Sequence, residues 1–211
     1  LLFYNILFSF NVKIYIFTAL ERTEDILIQD YKGRSMLVSE AVGISALRYY
    51  DLRAGRKSYG LDFEQMLAFK GNTSVYLQYA LTRIKSIQRK INDKEMKTRE
   101  PEMDQEDADG MNVIDLIIKE ERTSFPTDIE RKLALELMKF EDVVDNASST
   151  LSPHAVCEYL YVIAKTFHAF YEECHVSGSE HEANRMVLLK ATEKVLSTGM
   201  KLLGVVELER M

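Results

Sequence analysis

Gly71-Asn72-Thr73-Ser74-Val75-Tyr76-Leu77-Gln78-Tyr79-Ala80-Leu81-Thr82-Arg83-Ile84-Lys85-Ser86-Ile87, continuing through Gln88-Arg89-Lys90 to Ile91, is the stretch on which the fold turns. Thr73 to Ile91 contains neither Gly nor Pro. Tyr76, Ala80, Ile84, Ile87 and Ile91 recur every three or four residues, which places them on one face of a helix. Asn72 or Thr73 supplies the expected cap. Tyr79, Arg83, Ser86 and Lys90 form a second stripe, flanked by Lys85 and Arg89. The helix thus carries four positive charges and no acid within a chain of net charge −6. An aromatic ring with an arginine one turn on suits unpaired RNA: the ring stacks a base while the guanidinium bonds phosphate or a base edge. On composition alone the plainer reading is a solvated basic face with Tyr79 packed at its edge.

Towards the carboxy terminus the periodicity stays helical. Asn92 to Gly110 holds eight acids against three bases and includes Pro101, which reads as a solvated loop. Asn112 to Glu121 is a further candidate helix. Thr127-Asp128-Ile129-Glu130 is a capping box opening a helix to about Phe140, with a shorter piece to Asn146. Ser152-Pro153 starts another, Ser as cap and Pro at its first turn. Val156, Leu160, Ile163, Phe167, Phe170 and Cys174 make its apolar stripe, and Ser179 to Leu203 is the last long helix. Towards the amino terminus, Asp62 to Lys70 reads as a short helix stopped by Gly71, and Ser39 to Ala54 as a helix with Val42, Ala46 and Tyr49 on one side. From Lys70 onward the expectation is an all-α bundle.

The whole chain of 211 residues is 46% apolar, 28% charged and 10% aromatic, with only 9 Gly and 3 Pro. That excludes collagen-like, low-complexity and wholly disordered classes. A pI near 5.4 gives no global basic field, so nucleic-acid contact has to come from a local patch. The first residue is Leu1, and Leu1 to Leu20 holds 15 apolar residues and the single charge Lys13. That span is long enough to cross a bilayer, but Asn5, Asn11 and Lys13 interrupt it. Val12-Lys13-Ile14-Tyr15-Ile16 alternates as a strand does. Translated non-coding sequence at a badly defined gene start is a third reading, and residues 1–20 are expected to lie outside the fold.

Little in the chain points to catalysis. Gly-x-Gly-x-x-Gly and Walker loops are absent. Cys157 and Cys174 are too few for a disulfide framework, which suggests a reducing, cytoplasmic compartment. His154 with Cys157, and Cys174 with His175, sketch a metal cluster or a Cys/His nucleophile, but no acidic ligand or orienting group has matching spacing. Core cysteines and solvated histidines are the expectation; no metal and no catalytic residue is assigned.

The quoted stretch resembles the pattern GNTAxYLQYAxxRIxSI of arginyl-tRNA synthetases. Ala41-Val42-Gly43-Ile44-Ser45-Ala46-Leu47-Arg48-Tyr49 with Asp51-Leu52 resembles that family's AVGxxAxKYxDL, and Phe63-Glu64-Gln65-Met66-Leu67 its FDxML. Gly199-Met200-Lys201-Leu202-Leu203-Gly204 and Glu209-Arg210-Met211 match the GxxLLG…ERM ending. The resemblance, in order over Glu21 to Met211, implies an all-α helical bundle of the class I synthetase anticodon-binding type, preceded by a short remnant of the α/β catalytic domain. It divides the chain into an apolar segment 1–20, the end of a catalytic domain with linking helices over 21–70, and an anticodon-binding domain over 71–211 with its carboxy terminus intact. It implies a cytoplasmic parent enzyme that joins arginine to tRNA(Arg) with ATP and magnesium. Carried over by position, Gln78, Tyr79 and Arg83 match the family helix that faces the anticodon, and Lys90 continues its stripe. Tyr171 lies in the region of a second aromatic contact, and Met211 corresponds to the terminal methionine that packs back towards the RNA.

The departures bear on activity. The His-x-Gly-His motif is nowhere in the sequence, and Lys32-Gly33-Arg34-Ser35-Met36 is only a superficial echo of a KMSKS loop. Without donors aimed at the developing phosphate charge, adenylate formation has no apparatus, so the chain alone is expected to be inactive and to need no cofactor. Leu81-Thr82 replaces the common His and Ala or Ser between the contact residues. A monomer without membrane attachment is expected. A stand-alone tRNA-binding module, or an interaction domain with no RNA function, is the alternative.

Overall fold

The computed structural model describes residues 36–98 and 124–210. Segment 1–20, Lys32 to Ser35, the acidic stretch past 98, the helix expected at Asn112 to Glu121 and Met211 lie outside the described residues. Seven α-helices occur among the described residues, with no strand. They are α1 (Met36–Ala54), α2 (Phe63–Met66), α3 (Ser74–Thr98), α4 (Asp128–Met138), α5 (Phe140–Thr150), α6 (Pro153–Glu173) and α7 (Glu182–Leu202). None is long and apolar enough to cross a membrane.

Helix α6 is the axis of the fold, packed against α1, α3, α4, α5 and α7. Its stripe Val156, Leu160, Ile163, Phe167 and Phe170 is buried as the spacing predicts, as is Cys174 beyond its end. From α3, Leu77, Ala80, Leu81, Ile84, Ile87 and Ile91 join this core, while Tyr76 packs at its margin. Tyr49 of α1 enters the same core, so the bundle takes in a helix upstream of Lys70. The Tyr49 hydroxyl lies 2.5 Å from Asn72 Oδ1 and 2.9 Å from the Cys157 carbonyl oxygen. A second cluster joins Val42, Ala46 and Tyr50 to Met66, Leu67, Val75 and Leu208.

Several boundaries differ from the sequence expectation. Helix α3 runs seven residues past Ile91, to Thr98. The charge of Asn92 to Thr98 reads as loop, but the stretch lacks Gly and Pro, and its Lys94, Glu95, Met96 and Lys97 are good helix formers. Of the two candidate caps, Thr73 serves: its hydroxyl accepts the Tyr76 amide at 3.1 Å and donates to the Ala68 carbonyl at 2.8 Å. The second bond diverts the chain after Leu67, so α2 is one turn rather than a helix to Lys70. Helix α5 continues to Thr150 and ends on Leu151, left-handed at φ 53°. Ser152 makes no side-chain cap for α6; Pro153 alone marks its start. Gly178, at φ +77°, belongs to the turn that delays α7 to Glu182.

Helix α7 ends in a Schellman arrangement: the Gly204 amide donates to Lys201 at 3.0 Å and the Val205 amide to Met200 at 2.9 Å. Gly204 has φ +66°, and an added Cβ would lie 2.5 Å from Arg48 Nη1. The arginine end can move aside, so it is the left-handed backbone that calls for glycine here. The turn sends residues 205–210 back along α3. Val206 is held on both sides, its amide donating to Ser45 Oγ at 3.0 Å and its carbonyl accepting from Gln78 Nε2 at 2.8 Å.

Candidate nucleic-acid interface

The second stripe of α3 faces the end of α6. A cavity of about 290 Å³ opens there, lined by Arg83, Ser86, Ile87 and Lys90 from α3 and by Tyr171 to Ser177 through Tyr171, Cys174, His175 and Val176. The Arg83 guanidinium carbon sits 4.8 Å from the centre of the Tyr171 ring, and Arg83 Nη2 donates to the Tyr171 hydroxyl at 3.3 Å. Cation–π contact and hydrogen bond together fix the arginine at the rim. Among the described residues the lining contains no carboxylate. Its polar groups are chiefly donors, which favours a ligand rich in acceptors, such as phosphate or the edge of an unpaired base.

One turn before Arg83, Tyr79 lies over His168 of α6, the rings 5.8 Å apart and 22° from parallel. Tyr76 and Phe167 contact the same imidazole at 5.0 and 5.5 Å. His168 Nε2 is enclosed without a hydrogen-bond partner among the described residues. Burial holds its pKa below the usual 6.5; Glu172 opposes this and Arg83 adds to it. The imidazole is therefore neutral at pH 7, part of an aromatic platform rather than a solvated side chain as the sequence suggested.

The carboxy-terminal tail decides which cations remain free. Lys85 Nζ is 2.6 Å from Glu209 and 3.4 Å from Glu207. Arg89 donates to the Glu209 carbonyl at 3.2 Å and lies 3.9 Å from its carboxylate. Glu207 also accepts from Ser197 at 2.6 Å and from Lys201 at 3.1 Å. Arg83 and Lys90, both exposed, have no carboxylate partner among the described residues. The flanking bases are neutralised; the stripe itself is not.

Of the six residues assigned from the sequence, Arg83, Lys90 and Tyr171 meet around one cavity, and Tyr79 stands beside it on His168. Gln78 is 0% exposed and faces the core, where its amide donates to the Val206 carbonyl. It lies one position before Tyr79, hence about 100° round the helix and on the inner side. Met211 lies outside the described residues. Sequence reasoning missed Glu207 and Glu209, whose roles depend on contacts across the fold; for His168 its place beside the apolar stripe of α6, next to Phe167, was the available signal, but not its stacking under Tyr79. Cys157 is free and buried, its thiol pushed up to about 12 by burial, and no group of metal-binding side chains occurs among the described residues.

Comparison with known proteins follows the same lines. A family model described as the DALR anticodon binding domain matches residues 77–211. The arginine–tRNA ligase of Chlamydia abortus is 34% identical over 171 residues, covering 81% of this chain and 27% of that protein. That of Haemophilus influenzae is 37% identical over 178 residues, covering 82% and 27%. The crystal structure of arginyl-tRNA synthetase from Plasmodium falciparum superposes with a TM-score of 0.72 at 30% identity, covering 93% of this chain and 33% of that one. The chain spans about 27% of the length of the curated relatives it matches.

Proposed function

The chain belongs to the arginyl-tRNA synthetase family through its DALR anticodon-binding domain, and from that premise we propose that its helical bundle binds the anticodon stem-loop of tRNA(Arg). The observation that carries the reading is the cavity between Arg83, Lys90 and Tyr171, whose described lining holds no acid, beside Tyr79 on its His168 support. In this reading Tyr79 and Tyr171 stack unpaired bases, while Arg83 and Lys90 contact phosphate or base edges. We assign 71–211 to the anticodon domain, 21–70 to the end of a catalytic domain and its linking helices, and 1–20 to sequence outside the fold.

Arginine activation with ATP and magnesium is assigned to parts of the relatives that this chain does not match. No His-x-Gly-His motif is present among its 211 residues; our reading is of a cytoplasmic monomer that binds tRNA and does not by itself charge it. Two measurements test the reading. Fluorescence anisotropy with an arginine anticodon stem-loop should show binding that Tyr79→Ala with Arg83→Ala weakens by about ten- to a hundredfold, from loss of one stacked base and one ionic contact. Unchanged, salt-insensitive binding would favour a protein-interaction role. A charging assay with ATP, arginine and tRNA should show no product, and arginylation by the purified chain would sink the non-catalytic assignment.

A further inference from the structure

The wall of the cavity opposite Arg83 is the irregular segment that follows α6. Cys174 has left helical geometry, at φ −114° and ψ 114°. Its amide still donates to Phe170 at 2.8 Å, and its thiol lies 3.7 Å from Thr127 Oγ. The Val176 carbonyl accepts from Ser179 Oγ at 3.0 Å. Between them the His175 carbonyl has no helical partner; it accepts from Arg185 Nη1 of α7 at 2.6 Å. Arg185 Nε in turn donates to Glu130 Oε1 at 2.6 Å. The other Glu130 oxygen accepts the amide and hydroxyl of Thr127 at 2.8 and 2.9 Å. Glu130 is 1% and Arg185 9% exposed, so neither carries the cavity's own charge.

We propose that Arg185, oriented by Glu130, is a positioning residue for the cavity wall, fixing His175 opposite Arg83 so that the cavity is formed before RNA arrives; the inference rests on the reading of that cavity as part of the tRNA interface. The arginine fork is essential to the device. One edge nitrogen engages Glu130 while another engages the His175 carbonyl, two sites that a single ammonium group cannot serve with the same geometry. A buried ion pair adds little net stability over an apolar replacement, so what this pair distinctively supplies is the position of the wall. The position lowers the ordering cost of binding.

The test uses Arg185→Lys in the full chain. NMR of the His175 imidazole and the Val176 and Ser177 amides reports the wall, and anisotropy with the anticodon stem-loop reports binding. Cooperative unfolding should persist, the wall resonances should shift, and affinity should fall by about tenfold, an ordinary size for coupling through packed groups. The salt dependence should stay that of the parent, because no phosphate contact is removed. Unshifted wall resonances, or shifted resonances with unchanged affinity, would overturn the proposal. If Arg185→Lys fails to fold, Glu130→Gln carries the same test with a smaller expected loss, and parent-like affinity would again overturn it. If the parent chain binds no stem-loop, the tRNA reading fails, and the wall resonances alone decide whether Arg185 positions His175.

Discussion

The ammonium group of Lys85 is held 2.6 Å from the carboxylate of Glu209, a residue 124 positions later in the chain. The contact explains how, of the four bases between Thr73 and Ile91, only Arg83 and Lys90 lack a carboxylate partner among the described residues. The tail supplies Glu207 and Glu209 to Lys85 and Arg89, while Arg83 and Lys90 border the cavity. The doubly substituted chain Glu207→Gln/Glu209→Gln should therefore bind RNA more tightly at low salt. Two further phosphate contacts would steepen the slope of log affinity against log salt by about 1.4, at about 0.7 per contact on single strands. Anisotropy titrations over a range of salt concentrations measure that slope, and an unaltered slope would mean the tail acids do not govern the charge the RNA meets.

The same tail depends on Gly204, whose φ of +66° is a left-handed conformation that strains a residue with a Cβ. Gly204→Ala should cost about 1–3 kcal/mol in urea unfolding, from strain at a left-handed position. It should also loosen the pairing at Lys85 and Arg89, so its salt slope should move in the same direction as that of the tail-acid variant. A stability loss without a slope change would separate the turn from the charge it delivers.

Local patterns were legible in the sequence where they are closed by neighbours in the chain. The capping box at Thr127 and Glu130 forms as written, with reciprocal bonds of 3.3 and 2.8 Å. The stripe from Val156 to Phe170 is buried because a 3.6-residue period leaves one face for the core. Arg83 and Tyr171 reach the same cavity because their helices face each other, which the separate stripes implied but could not measure. Charge was the weaker guide. Asn92 to Thr98 is helical although acidic and basic residues crowd it, since solvated charge is compatible with helix or loop. Gln78 sits among ring and basic residues in the sequence yet points inward. Its partner is the Val206 carbonyl, made available only when the tail returns. No local pattern announces such a contact.

Glu130 links stability to pH. Burial pushes its pKa upward, but the Arg185 hydrogen bond, then the backbone and side-chain bonds of Thr127, override burial and leave it below the usual 4.5. A folded-state value below the unfolded one means that the stabilisation is full above the ordinary carboxylate range and is lost as pH falls through the folded value. Urea midpoints should therefore drop as pH falls below about 4.5, and Glu130→Gln should be destabilised at pH 7 with a flatter acid limb. A parallel acid limb in the variant would show that other carboxylates dominate.

His168 has the opposite chemistry and the same acid sensitivity. Its pKa lies below 6.5, chiefly because the ring is buried, so below that pH the unfolded chain takes up the proton more readily. Stability should therefore decline as pH falls below 6.5. His168→Phe keeps a flat ring under Tyr79 and removes the titration. The variant should retain RNA binding at neutral pH and lose the part of the decline in stability that begins as pH falls below 6.5. Chemical denaturation at intervals of pH reads the difference, and an identical decline in the variant would place the titrating group elsewhere.

Gly199 and Leu160 form a close joint between α7 and α6. A Cβ on Gly199 would lie 2.5 and 2.9 Å from the two methyl carbons of Leu160 and 3.1 Å from its Cγ. Leu160 is fully buried, so its methyls have no free space into which to rotate. Gly199→Ala gains about 1 kcal/mol of helix propensity, but overpacking a filled core costs about 1–3 kcal/mol. The overpacking should win, and the variant should unfold at lower urea. Leu160→Ala alone should cost about 2–5 kcal/mol by leaving a cavity at the same joint. In the double variant the new methyl enters that cavity, so the combined loss should be smaller than the two single losses added. Additive losses would mean that α7 shifts away from α6 in Gly199→Ala instead of pressing on Leu160.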